Sequence, residues 1–107
     1  MHFRIIKLTN NNNHREFTLE ITRMKDVRQR VGILVADYNN YLLSKNKNFK
    51  PCYNIVSAGD FSFYTVYRGE FDTYHQCKEK RTELYNLYNK KVINAQKKEQ
   101  SNIISFE

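Results

Sequence analysis

The 107-residue sequence has no tryptophan, one proline, three glycines and two cysteines. So little glycine and proline excludes a disordered or low-complexity chain and points to regular elements with short connections. Cys52 and Cys77 are far apart and fit no CxxC pattern, which gives no support to a disulfide framework, so reduced thiols are expected. No apolar run approaches the ~18 residues that a membrane span needs. The opening MHFRIIKLTN lacks the basic start and long apolar run of a secretory leader. A cytoplasmic protein without a membrane partner is therefore expected. There is no glycine-rich phosphate loop. The three histidines, His2, His14 and His75, form no Ser/His/Asp or Cys/His pattern. His75 and Cys77, two residues apart, point to different faces of a helix and make a poor metal pair. Asp26, Asp37, Asp72, Glu79 and Glu83 are scattered among bases, as on a solvated face. No enzyme, metal site or cofactor is expected from these residues.

What the chain does have is charge and aromatic bulk. Eighteen Lys and Arg stand against 11 Asp and Glu, a formal net charge of +7. On a chain of one domain's length that surplus favours polyanions, RNA or DNA, or an acidic face of another protein. Eight tyrosines and seven phenylalanines supply the bulk that a small core requires.

Periodicity orders the elements. Residues 3–9 (FRIIKLT) predict a strand, and the four asparagines 10–13 a turn, since Asn tolerates left-handed backbone and bonds its own chain. Phe17, Leu19 and Ile21 alternate with Thr18, Glu20 and Thr22, the period of a returning strand. Met24, Val27, Val31, Leu34, Val35, Tyr38, Tyr41 and Leu42 then recur at helical spacing and predict an amphipathic helix running to about Ser44. A basic linker, residues 45–51, ends at Pro51. Residues 52–57 predict a third strand, Ala58, Gly59 and Asp60 a tight turn, and residues 61–68 (FSFYTVYR) a fourth strand. That strand sets Phe61, Phe63 and Tyr67 on one face and Tyr64 and Val66 on the other. Thr73 and Gln76 have capping-box spacing at the start of a second helix. Its apolar arc is Tyr74, Cys77, Leu84, Tyr85, Tyr88 and Val92, and it is expected to reach about Lys98. Residues 1–44 and 52–98 thus form a pattern repeat within one domain, followed by an apolar tail, residues 99–107. The expected fold is α+β, ββαββα, with a four-stranded antiparallel sheet, two helices packed on one face and the other face open.

Binding residues are sought among the bases and exposed rings. Arg23, Lys25, Arg28 and Arg30 fall in the opening turns of the first helix, where the helix dipole disfavours cations, a cost of at most ~1 kcal/mol that hints at a use. Ile33 lies opposite that helix's apolar arc, with Ala36 and Leu43. The second helix carries Lys78, Lys80, Arg81, Lys90 and Lys91, spread around it, as a long-range field requires. Arg81 stands in the middle of the apolar arc. Either its stem covers apolar surface and its head reaches water, or the arc is itself a contact surface. Tyr64 on an open sheet face would either stack an unpaired base or pack at the core's edge.

The run F-T-x-E-I-T-x-M-K-D, formed by Phe17, Thr18, Glu20, Ile21, Thr22, Met24, Lys25 and Asp26, resembles the strand-to-helix junction of the small Dmd-like antitoxins of T-even phages. The helix after it is similar in length and in its tyrosine and asparagine placement from Tyr38 to Asn40. A cysteine after a basic link, Lys50 to Cys52, is similar too. The resemblance covers the first half of the chain. It implies a phage-encoded inhibitor of a bacterial toxin endoribonuclease, acting in the cytoplasm of the infected host. The second unit and the strong basic charge extend past that pattern and suit TifA-like phage inhibitors, which would imply RNA as a further partner. The function expected is therefore a non-enzymatic antitoxin. The alternative is a basic RNA- or DNA-binding accessory module without a toxin target.

Overall fold

A computed structural model describes the backbone of residues 1–104 and the side chains of residues 1–91. The described elements are β1 (His2–Asn10), β2 (Asn13–Thr22), α1 (Val27–Leu42), α2 (Cys52–Ser57), β3 (Phe61–Glu70) and α3 (Tyr74–Ile104). The fold is α+β, with the strands in one antiparallel sheet ordered β2-β1-β3. Among the described residues the sheet has three strands rather than the expected four, and the order is ββααβα.

The missing strand is a short helix. Cys52, Tyr53, Ile55 and Val56 are the buried residues of the 52–57 segment, at helical rather than alternating spacing. Pro51 opens the helix with φ already helical, as the pyrrolidine ring dictates, and the N–H groups of Tyr53 and Asn54 bond back to the Lys50 and Pro51 carbonyls. Gly59, at φ 82°, ends it in the left-handed region. A six-residue apolar run fits a strand or a buried helix equally well by composition, and Pro51 and Gly59 bound the segment under either reading.

With α2 in place of a strand, β3 pairs directly with β1, Leu8 against Phe63 and Lys7 against Tyr64. β1 becomes the central strand, and Ile5 and Ile6, which point to opposite faces, are both fully buried. Both faces of the sheet are therefore covered, which replaces the expectation of two helices on one face. On one face Ile6 and Leu8 pack with Leu34 of α1 and with Cys52, Tyr53 and Ile55 of α2. On the other, Phe3, Ile5, Phe17 and Leu19 pack with Cys77, Leu84 and Tyr88 of α3.

A bulge changes one further assignment. Ile5 pairs with Tyr67 and Ile6 with Thr65, leaving Val66 unpaired. The extra residue turns Tyr67 from the face of Phe61 and Phe63 to the α3 face, where it packs with Val66.

Local signals hold at the junctions. Thr73 and Gln76 cap α3 reciprocally: Gln76 N–H donates to Thr73 Oγ1 at 3.3 Å and Thr73 N–H to Gln76 Oε1 at 3.4 Å. The asparagine turn is anchored to β3, Asn11 donating from N–H and Nδ2 to the Asp60 carbonyl and carboxylate at 3.0 and 2.7 Å. α1 starts later than expected. Thr22 Oγ1 accepts from Met24 N–H at 3.0 Å, and the Asp26 carboxylate caps the helix by accepting from Gln29 N–H at 3.2 Å. Arg23 and Lys25 thus lie in the connection before α1, not in its first turn, and Leu42, expected on the apolar arc, is exposed. The linker is tied down by an ion pair of 3.4 Å between Lys50 and Asp37. α3 continues past Lys98 to Ile104, so the expected tail begins inside it, and residues 105–107 lie outside the described residues.

Leu34 has no exposed surface, whereas Leu42, on the same helix, is 60% exposed. Leu34→Ala is expected to cost about 2–5 kcal/mol of unfolding free energy, from lost transfer energy plus a cavity. Leu42→Ala is expected to stay within about 0.5 kcal/mol. Denaturant unfolding of both variants checks the assigned core.

Candidate nucleic-acid interface

The cations of the α3 face sit on aromatic rings. β1 alternates, so Phe3, Ile5, Lys7 and Thr9 share this face, and Lys7 is the only charged member of the row. Its Nζ lies 4.3 Å from the ring centre of Tyr88, 5.1 Å from Phe17 and 5.9 Å from Tyr64. Lys91 Nζ stands 5.8 Å over the Tyr88 ring and Lys80 Nζ 4.8 Å over Tyr67. Lys80, Leu84, Leu87 and Lys91 are spaced four, three and four apart, one stripe of α3. That stripe carries Lys80 to Tyr67 and Lys91 to Tyr88, and Lys7 of β1 reaches both Tyr88 and the Tyr64 ring of β3. Tyr64 and Leu87 are each 49% exposed, so flat apolar surface lies open between ammonium groups.

Such contacts contribute ~0.5–2 kcal/mol each, depending on desolvation, and hold the ammonium groups in place while their charge remains available. Lys80 also pairs with Glu83 at 3.2 Å. Among the described residues no carboxylate is paired with Lys7 or Lys91. Fixed cations around the exposed Tyr64 ring form a surface suited to a single-stranded polyanion, with phosphates on the lysines and a base on that ring.

The structure divides the expected binding residues. Tyr64, Lys80 and Lys91 come together on the flank between α3 and β3. Lys78 stands on Tyr74, 4.9 Å from its ring, and Arg23 on Phe3, at 5.9 Å; Phe3 and Tyr74 are themselves in ring contact, which brings these two cations near each other. Lys90 falls by helical spacing on the outward side of α3. Arg28, Arg30 and Ile33 belong to α1, across the sheet, with Lys25 in the connection before it. Arg81 is half-buried and lines a trough of about 550 Å³ beside edge strand β2, together with Lys50, Thr82 and Tyr85. Tyr64 is not among the residues that line this trough. Lys7, Tyr67 and Tyr88 were missed as site residues. A lone lysine in an otherwise apolar alternating row was the available signal for Lys7.

Chemistry beyond binding finds no centre among the described residues: no group of three or more His, Cys, Asp or Glu is placed to hold a metal. Cys52 and Cys77 are free and buried. Burial, reinforced by the Glu20 carboxylate that hydrogen-bonds the thiol, pushes Cys52 up to about 12 from 9.0. Burial raises Cys77 as well, opposed by Arg81. Neither is a thiolate nucleophile at neutral pH. Burial, then the neighbouring Tyr64, raises Tyr88, so its ring stays neutral beneath Lys7.

Comparison with protein-family models, curated proteins and solved structures finds no match to this chain.

The thiol shifts make two measurements decisive. Both cysteines should resist iodoacetamide in the native protein and react after denaturation. Because the folded-state pKa of Cys52 is raised, its contribution to stability is fully present below pH 9 and is lost as pH rises towards 12. The denaturant midpoint should therefore fall across that window, and fall less steeply in Cys52→Ala.

Proposed function

We propose that this protein is a non-enzymatic antitoxin that binds and neutralises a bacterial toxin endoribonuclease, in contact with RNA, in the cytoplasm of a phage-infected cell. The observation that carries the RNA contact is the flank where the exposed Tyr64 ring lies among Lys7, Lys80 and Lys91, each held on an aromatic ring. A net charge of +7 adds a long-range field that speeds encounter with RNA or with the anionic surroundings of a ribonuclease. The toxin as protein target is supported by the resemblance of the strand-to-helix run, residues 17–26, to Dmd-like antitoxins. In this fold those residues have structural tasks: Thr22 and Asp26 fix the turn and the helix cap, and Glu20 bonds Cys52. A shared junction of this kind supports a shared way of building the sheet and helix that an inhibitor presents. No described helix is long and apolar enough to cross a membrane, consistent with partners met in solution.

The ring and lysine flank equally favours a second reading, a nucleic-acid-binding accessory module without a toxin target. The two differ in what survives ribonuclease treatment. For the antitoxin, pull-down from bacterial lysate should retain a specific protein after RNA is digested, and co-expression should restore growth to cells producing that toxin. Loss of every protein partner on digestion, with no rescue across a broad toxin panel, would leave the accessory module. For the RNA contact, affinity should fall steeply with salt, and Lys80→Gln with Lys91→Gln should flatten that slope by about 1.4 in log–log units.

A further inference from the structure

At the turn end of the sheet the α3 face holds a cleft of about 260 Å³ lined by Lys7, Thr9, Asn11, His14, Ser62 and Tyr64. Its floor is two cross-strand pairs, Lys7 with Tyr64 and Thr9 with Ser62. Asn11 and His14, from the asparagine turn and the start of β2, form the rim. The wall is rigid: Ser62 Oγ donates to Asn11 Oδ1 at 2.7 Å, and Asn11 Nδ2 donates to the Asp60 carboxylate at 2.7 Å. That carboxylate is thereby engaged at the rim.

Two groups in the cleft lack the partner their chemistry requires. Thr9 is 9% exposed, and its hydroxyl is enclosed with no hydrogen-bond partner. A buried hydroxyl in that state is costly, and native proteins seldom leave one without a reason. Lys7 is partly buried with three rings around its ammonium and no carboxylate among the described residues. An unneutralised ammonium beside an unused hydroxyl is the chemistry of an anion site. A cation would meet Lys7, and an apolar ligand would strand the hydroxyl. The volume falls below the ~300–1,000 Å³ of enclosed small-molecule pockets, so the occupant extends out of the cleft. The surface it extends over is the exposed Tyr64 ring.

We propose that this cleft seats one nucleotide unit of a single-stranded RNA. The phosphodiester lies against Lys7 Nζ, the Thr9 hydroxyl turns out of its enclosed position to donate to it, and the adjoining base stacks on Tyr64. This rests on the reading that the protein contacts RNA, and adds where a strand is gripped and which groups meet phosphate and base.

The test is fluorescence anisotropy of a labelled oligouridylate of about ten nucleotides with the full chain, at low salt. Tyr64→Ala should weaken binding about tenfold through lost stacking. Thr9→Val, which keeps shape and removes only the hydroxyl, should also weaken it about tenfold, as for a hydrogen bond to a charged group. Lys45→Gln, which removes a charge on the connection after α1, should stay within about twofold. Amide shifts in NMR spectra on titration should centre on Thr9, Asn11, Ser62 and Tyr64, and the unliganded spectra of each variant establish that it is folded. Wild-type binding that both Thr9→Val and Tyr64→Ala leave unchanged overturns the cleft while the RNA contact stands. Absence of wild-type binding overturns the cleft and the RNA contact together, while toxin rescue still decides the antitoxin.

Discussion

Everything in this fold depends on β1 being buried on both faces. Ile5 and Ile6 are adjacent and point to opposite sides, so a solvent-facing sheet would leave one of them in water. At roughly 25 cal/mol per Å² of apolar surface, neither side chain can be left out without loss of a sizeable part of a small domain's stability. β1 must therefore sit in the centre, flanked by β2 and β3, with a helical layer above and another below. α1 and α2 serve one layer and α3 the other. The bulge at Val66 follows the same demand, because it returns Tyr67 to the layer where α3 needs apolar cover.

That arrangement decides where charge collects. α3 cannot cover the whole of its face, and along the uncovered flank the exposed Tyr64 ring of β3 and the lysines of α3 and β1 meet. Lys7 and Lys91 stand on rings with no described carboxylate to offset them, whereas Lys80 also pairs with Glu83. The acidic residues are largely spent elsewhere: Asp26 on the α1 cap, Asp37 on Lys50, Asp60 on the asparagine turn, Glu20 on Cys52. The basic surplus is thus spatially organised as well as large. The turn of four asparagines closes the end of that flank and holds its last side chains still.

The run at residues 17–26 illustrates how a recognisable motif and a binding surface differ. Phe17 and Ile21 join the α3 core, Thr22 turns the chain and Asp26 starts the helix. These are residues that the fold requires, which is why such a run is legible in a sequence. The residues that would meet RNA are individually ordinary, a tyrosine on a strand or a lysine on a helix. They become a surface only when three separate elements bring them together.

The sequence by itself determined what depends on neighbours along the chain. The first hairpin and its asparagine turn, the apolar stripe of α1 around Val31 and Leu34, the capping box of Thr73 and Gln76, and the basic surplus are all local or additive properties. Tertiary structure alone decided the rest. Whether residues 52–57 became strand or helix depended on Tyr53 finding the rings of Tyr38, Tyr41 and Phe49, a choice that composition left balanced. The adjacent Ile5 and Ile6 call for cover on both faces of the sheet, but only the packing of α3 opposite α1 and α2, elements distant in sequence, supplies it. The cleft of Lys7, Thr9 and Tyr64 depended on the register between β1 and β3. A shift of one residue in β3 would have turned Tyr64 to the other face, away from Lys7 and Thr9. Periodicity reports which side of an element is apolar, and the pairing of elements distant in sequence determines what that side meets.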